Sequence, residues 1–220
     1  WFSDVACMGG YEVSALPDKF PAGTTTYFAK WTADPAIIRF NANGGDPASA
    51  PKAIIGVTDE AITDTSLPAQ EPTREGYTFE GWFSDVACMG GYEVNQYPDK
   101  FPVGTTTYYA KWTADPAKIT FDANGGDTAA VPGAITGVTD GVIIDRFPAE
   151  EPTRPGYTFE GWFADAAGTG DKVTSYPDQF PVGTTTYYAK WKAEPAKITF
   201  DANGGDKDTI PADLIGATNQ

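Results

Sequence analysis

Hydrophobic and polar residues alternate over short stretches of the chain, and turn residues punctuate them. In Lys118-Ile-Thr-Phe-Asp122, Ile119 and Phe121 alternate with polar neighbours, which predicts a strand with one face toward a core. Asn124-Gly125-Gly126 follows and predicts a tight turn, because Asn and Gly tolerate positive φ. A variable, proline-containing stretch comes next, with a short apolar run at Val142-Ile143-Ile144. In PTREGYTFEGWF (72–83), Thr73 to Gly76 predict a turn, and Tyr77, Phe79 and Gly81 alternate with Thr78, Glu80 and Trp82 along a strand. In TTTYYAKW (105–112), Thr106, Tyr108, Ala110 and Trp112 fall on one face, and Thr107, Tyr109 and Lys111 on the other. No window carries a long apolar period of helical type, so any helix is short.

The pattern repeats. Phe40, Phe121 and Phe200 stand 81 and 79 residues apart, and so do Trp31, Trp112 and Trp191. FPVGTTTYYAKW occurs identically at 101–112 and 180–191, and AKITFDANGGD at 117–127 and 196–206. A fixed period of about 80 residues marks a tandem array in which each unit builds its own small core. The chain parses as a C-terminal part of a module (1–31), complete modules at 37–112 and 118–191, and an N-terminal part of a module (197–220). The two part-modules are expected to be completed by flanking modules of a longer array. After each closing Trp comes TADPA or KAEPA, which predicts a proline-stiffened linker spanning at most about 17 Å. On this reading the array is a semi-rigid string.

Composition sharpens the picture. The 24 Gly and 18 Pro point to many turns, and aromatics, 14% of the chain, recur at fixed places as the material of small cores. Each complete module has about 75 residues, small for a self-standing core but feasible with this many aromatics. The fold class expected is mainly β, with α+β as the alternative. The net charge of −15 repels phosphate backbones and argues against nucleic acid as a partner; its plain role is solubility. The longest apolar runs are a few residues, so no window reads as a signal peptide or membrane span, and no membrane contact by this segment is expected.

The ordered motifs ITFDANGG, PTREGYTFEGWF and YYAKW make the chain resemble the Listeria/Bacteroides repeat family, the internalin B-repeat type of bacterial surface module. The resemblance covers essentially the whole chain. It implies small β-grasp-like sheet modules, an extracellular location at the bacterial cell surface, and a role as spacer or adhesive stalk. It supplies no catalytic residue and no cofactor. The middle segment, DTAAVPGAITGVTDGVIIDRFPAEE (127–151), is longer than the family pattern.

Candidate chemistry is sparse. The chain has no histidine, which removes the commonest general base, the commonest metal ligand and every His-dependent triad. A nucleophile at Cys7 or Cys88 lacks a partner base. These cysteines hold equivalent places in consecutive repeats, usually too far apart for a bridge between them, and read as free thiols, with cross-linking between chains as the alternative. In DANGGD, Asp122, Asn124 and Asp127 invite a calcium reading, but the alternating ligands and terminal Glu of a calcium loop are missing, and a turn explains the sequence. Lys111 and Lys118 are candidates for a Lys–Asn or Lys–Asp cross-link only because they sit near strands; no spacing selects them, and solvated strand lysines that discourage edge pairing are the better account. Tyr109, Tyr188, Trp82 and Trp162 are the aromatics that could stack on sugar rings, set against their use as core.

Two functions follow as expectations. One is a non-enzymatic extracellular structural spacer, stalk or filament-forming repeat region of an adhesin-like cell-surface protein. The other is a repeat that binds a host surface protein or glycan weakly, with avidity multiplied along the array.

Overall fold

The computed structural model describes residues 1–9 and 11–218; Gly10, Asn219 and Gln220, the last residues of the expected part-module among them, lie outside the described residues. The first repeat contains β1 (Pro35–Asn41), β2 (Ile54–Val57), β3 (Tyr77–Phe83), β4 (Glu93–Val94) and β5 (Thr105–Ala114). The second contains β6 (Pro116–Asp122), β7 (Ile135–Val138), β8 (Tyr157–Phe163), β9 (Lys172–Val173) and β10 (Thr184–Ala193). A final hairpin pairs β11 (Pro195–Ile198) with β12 (Leu214–Ala217). Besides strands there are three-residue 3-10 turns, such as Thr128–Ala130, so the fold is mainly β, in tandem sheets. The chain divides into two compact units, residues 1–72 with 81–111 and residues 73–80 with 112–220.

Both five-stranded sheets have one topology. The orders are β2-β1-β5-β3-β4 and β7-β6-β10-β8-β9. In each, the first and last long strands of the repeat run parallel at the centre: Phe40 faces Tyr108 in one and Phe121 faces Tyr187 in the other. In the second sheet β7 and β8, on either side of this pair, run antiparallel to it, and in the first sheet β2 runs antiparallel to β1. Within residues 1–31, Phe2 bridges to Phe28 and Glu12.

The second repeat shows how the core forms. Ile119 of β6, Trp162 of β8, and Tyr187 and Ala189 of β10 share one face and are buried. Phe121 sits at their centre, with edge-on contacts to Trp162 at 4.8 Å and Phe147 at 6.0 Å, the geometry aromatic quadrupoles favour. Phe147, Tyr176 and Phe180, from the long connections, cover this face where another fold would place a helix. Of the apolar run 142–144, Ile143 packs on the core while Val142 and Ile144 point to solvent. The closing strand keeps the expected alternation, with Tyr108 and Ala110 buried in one repeat and Tyr187 and Ala189 in the other.

Two expectations fail here for physical reasons. The first is the simple alternation of PTREGYTFEGWF. Lys190 pairs with Gly161 but Trp191 pairs with Phe159, so Glu160 is an extra residue and β8 carries a bulge. Gly161, at φ 138°, takes backbone geometry that L side chains avoid. The bulge brings Phe159 and Trp162, three apart, to the same face, with ring centroids 5.4 Å apart. The second is the linker. Thr113 and Ala114 finish β5, Pro116 and Ala117 begin β6, and Asp115 alone lies between the strands. Lys192 and Ala193 likewise finish β10 and Pro195 begins β11. Proline is tolerated because it occupies the first position of its strand, where its missing N–H disturbs the ladder least.

Burial raises the phenol pKa of Tyr108 and Tyr187 above the ordinary 10.0, and likewise that of Tyr97 and Tyr176. A buried phenol resists ionising, so above its ordinary value the unfolded chain releases protons first. Stability is therefore whole below that value and falls as pH climbs through the raised native values. Urea midpoints of the whole chain should hold up to about pH 10 and drop as the pH climbs above it, and the drop should shrink in Tyr187→Phe. A midpoint that rises there instead would contradict the burial.

Candidate functional site

The face opposite the core is polar and open. In the first repeat the register sets Arg39 beside Thr107 and Asn41 beside Tyr109. These residues, with Pro47 and the Asn43–Gly45 turn, line a groove of about 490 Å³. In the second repeat the same register sets Thr120 beside Thr186, their hydroxyls 3.0 Å apart, and Asp122 beside Tyr188. Tyr109 and Tyr188 are half-exposed on this face, so both can offer a ring to a ligand. Trp82 and Trp162 cannot. They are 3% and 2% exposed, and in β8 the bulge turns Trp162 into the core. Lys111 and Lys190 lie over the rings of Phe83 and Phe163 at 5.0 and 4.8 Å, and Lys118 is exposed.

The turn after the first strand does more than reverse the chain. Asn124 has φ 48° and Gly125 φ 88°, and Gly126 N–H donates to the Ala123 carbonyl at 3.0 Å. This is the tight turn expected of Asn-Gly-Gly, but it leads into the Thr128–Ala130 turn rather than directly into a paired strand. The Asn124 side-chain amide then donates to the Ala166 carbonyl at 2.8 Å and the Ala189 carbonyl at 2.9 Å. Asn43 repeats the arrangement with Val86 at 3.3 Å and Ala110 at 3.0 Å. Trp191 adds a bond from its indole N–H to the Ala123 carbonyl at 2.9 Å. The Asn is thus a staple joining the turn to the closing strand and to the loop after the bulged strand. A clue stood in the sequence: glycine alone would satisfy the φ, yet all three copies place Asn there, at 43, 124 and 203.

Two carboxylates of this turn bond its own backbone. Asp122 accepts the Asn124 main-chain N–H at 2.7 Å, and Asp127 accepts that of Ala129 at 2.9 Å as the cap of the 3-10 turn. Cys7 and Cys88 are free and buried. The Asn43 side-chain amide lies 3.4 Å from the Cys88 sulfur, and burial pushes this thiol above its ordinary value, so it behaves as an inert packed group. Among the described residues no helix is long and apolar enough to cross a membrane.

The fold and these faces define a tandem repeat of small mixed β-sheets, each closed by a turn-borne Asn staple. The profile of the Listeria-Bacteroides repeat domain matches residues 37–111 and again residues 118–190. The chain belongs to the Listeria-Bacteroides repeat family, as its ordered motifs imply. Among curated proteins it is 37% identical over 120 residues to internalin H of Listeria monocytogenes, covering 54% of this chain and 20% of that protein. It is 28% identical over 194 residues to a Gly-rich protein of Evansella cellulosilytica inferred to be a membrane protein, covering 84% of this chain and 20% of that one. A second inferred membrane protein of the same organism is 28% identical over 204 residues, 87% of this chain and 28% of that protein. The matched stretches therefore span 20% to 28% of the length of these relatives.

Proposed function

We propose that the chain is a load-bearing, non-catalytic spacer in the extracellular part of a bacterial cell-surface protein. The observation that carries this reading is the central parallel pair. Each repeat enters through its first strand and leaves through its last, and these are hydrogen-bonded neighbours running the same way. Tension between the ends of a repeat therefore pulls the two strands past each other along their axes. All the bonds between them resist together, instead of opening one after another as in a peeled hairpin. The strand order, with parallel first and last strands at its centre, also supports the β-grasp-like description. The surface location draws support from the relatives, one an internalin and two inferred membrane proteins. Flanking modules of a longer array are the expected partners of such a spacer.

The groove beside Tyr109 favours a second reading, in which the repeat binds a host surface protein or glycan. Arg39 and Asn41 give it the polar donors that sit beside an aromatic ring in a saccharide or peptide site. A glycan array and a pull-down from host extracts, both with the whole chain, separate the two. The spacer reading predicts no saturable binding above background. Saturable binding lost in Tyr109→Ala and Tyr188→Ala would replace it with the second.

A further inference from the structure

Residues from two successive repeats meet at a corner that lies wholly within the second compact unit. The loop before β3 brings Arg74 and Gly76, and β3 itself opens with Tyr77; the end of the β6–β7 hairpin brings Asp115, Thr139 and Asp140. Asp115 is the hub. Its N–H donates to the Gly76 carbonyl at 2.8 Å, and its own carbonyl accepts from the Thr139 N–H at 2.9 Å and the Thr139 hydroxyl at 3.3 Å. Its carboxylate accepts the Thr78 hydroxyl at 2.6 Å. The Tyr77 hydroxyl donates to Asp140 at 2.7 Å, and the Arg74 guanidinium lies over the Tyr77 ring at 3.5 Å. The bond to Asp140 holds the Tyr77 phenol above its ordinary range.

The same arrangement recurs one period on. Glu194 N–H donates to the Gly156 carbonyl at 2.9 Å, and the Glu194 carbonyl accepts from Thr218 N–H at 2.9 Å and its hydroxyl at 3.2 Å. Thr158 bonds the Glu194 carboxylate at 3.1 Å, and Arg154 covers Tyr157 at 4.0 Å. Thr139, beneath Gly76, is 3% exposed. Glycine is demanded at this contact: Gly76 has φ 75°, and a Cβ there would stand 2.7 Å from Thr139 Cγ2 and 2.9 Å from Val182 Cγ2.

We propose that this corner is a recognition clasp between successive repeats: the Arg-X-Gly-Tyr loop of one repeat docks on the Asp/Thr/Asp corner of the next and couples their stability. Loss of structure in one repeat then loosens the other, and the array responds as a cooperative string of nearest neighbours. The coupling goes beyond the spacer role and stands whatever the array binds or carries.

Amide hydrogen exchange on the whole chain tests it with a matched pair of variants. Gly76→Ala introduces both a left-handed alanine and a clash with Thr139. Gly104→Ala introduces the same left-handed strain at φ 72° in the same repeat, with no atom within 4 Å of the new Cβ. The clasp predicts that Gly76→Ala speeds exchange of Thr139 and of the β6 and β7 amides at least about tenfold, while Gly104→Ala leaves them within about twofold of the parent. Coupling is reciprocal, so Thr139→Ala, in the second repeat, should speed exchange of Tyr77 and Phe79 in the first at least about threefold. This arm remains readable if Gly76→Ala does not fold. Exchange changes that stay inside the mutated repeat in every variant would overturn the proposal.

Discussion

Trp162→Ala should cost the second repeat about 3–5 kcal/mol, a large share of the stability of a domain of this size. The side chain is buried in a core that one sheet face and its covering loops build without helical support. Its ring stands against Phe121 and Phe159, so truncation opens a cavity that neighbouring rings are too stiff to refill. Ile144, in the same repeat, is 89% exposed, so Ile144→Ala should change stability by less than about 0.5 kcal/mol. Urea denaturation of the two variants makes the comparison. Equal effects would mean that the bulge does not turn Trp162 inward.

Asn124→Gly separates a turn from a staple. Glycine meets the backbone demand at φ 48° at no steric cost, so a residue that served only the turn could be replaced freely. The staple predicts a loss of about 2 kcal/mol, because the Ala166 and Ala189 carbonyls each lose a donor, one of them in the closing strand. Asn124→Ala adds left-handed strain of about 1 kcal/mol to that loss. Thermal melts of the two variants should therefore fall in the order parent, glycine, alanine. A glycine variant as stable as the parent would reduce the Asn to its turn.

Much of this architecture was legible in the chain. The 81- and 79-residue spacings exposed the array, and period-two alternation placed Ile119, Tyr108 and Ala110 on the core face where the structure has them. The misreadings share a cause: each depended on a partner distant in sequence. Glu160 reads as one more polar residue until its strand is paired with β10, and only that pairing reveals the bulge that buries Trp162. Ile135–Val138 is too short to announce a strand, and it becomes one because Pro116 to Ile119 lie alongside. The prolines of TADPA and KAEPA signalled a linker, whereas they open strands, and the intervening Asp115 bonds both sides of the junction. Simple alternation holds through β5 and β10, which sets Tyr109 and Tyr188 on the open face, and fails through β8, where the bulge buries Trp162.

Single-molecule stretching of the whole chain, held by its two ends, tests the load-bearing reading most directly. The account predicts two discrete unfolding steps of similar size, each releasing the contour of about 75 residues, roughly 250 Å when extended. It also predicts that the yield force exceeds that found when the second repeat is held through Lys118 and Thr136, paired partners whose separation peels the hairpin open. Smooth extension without steps, or equal forces in the two pulling geometries, would contradict it.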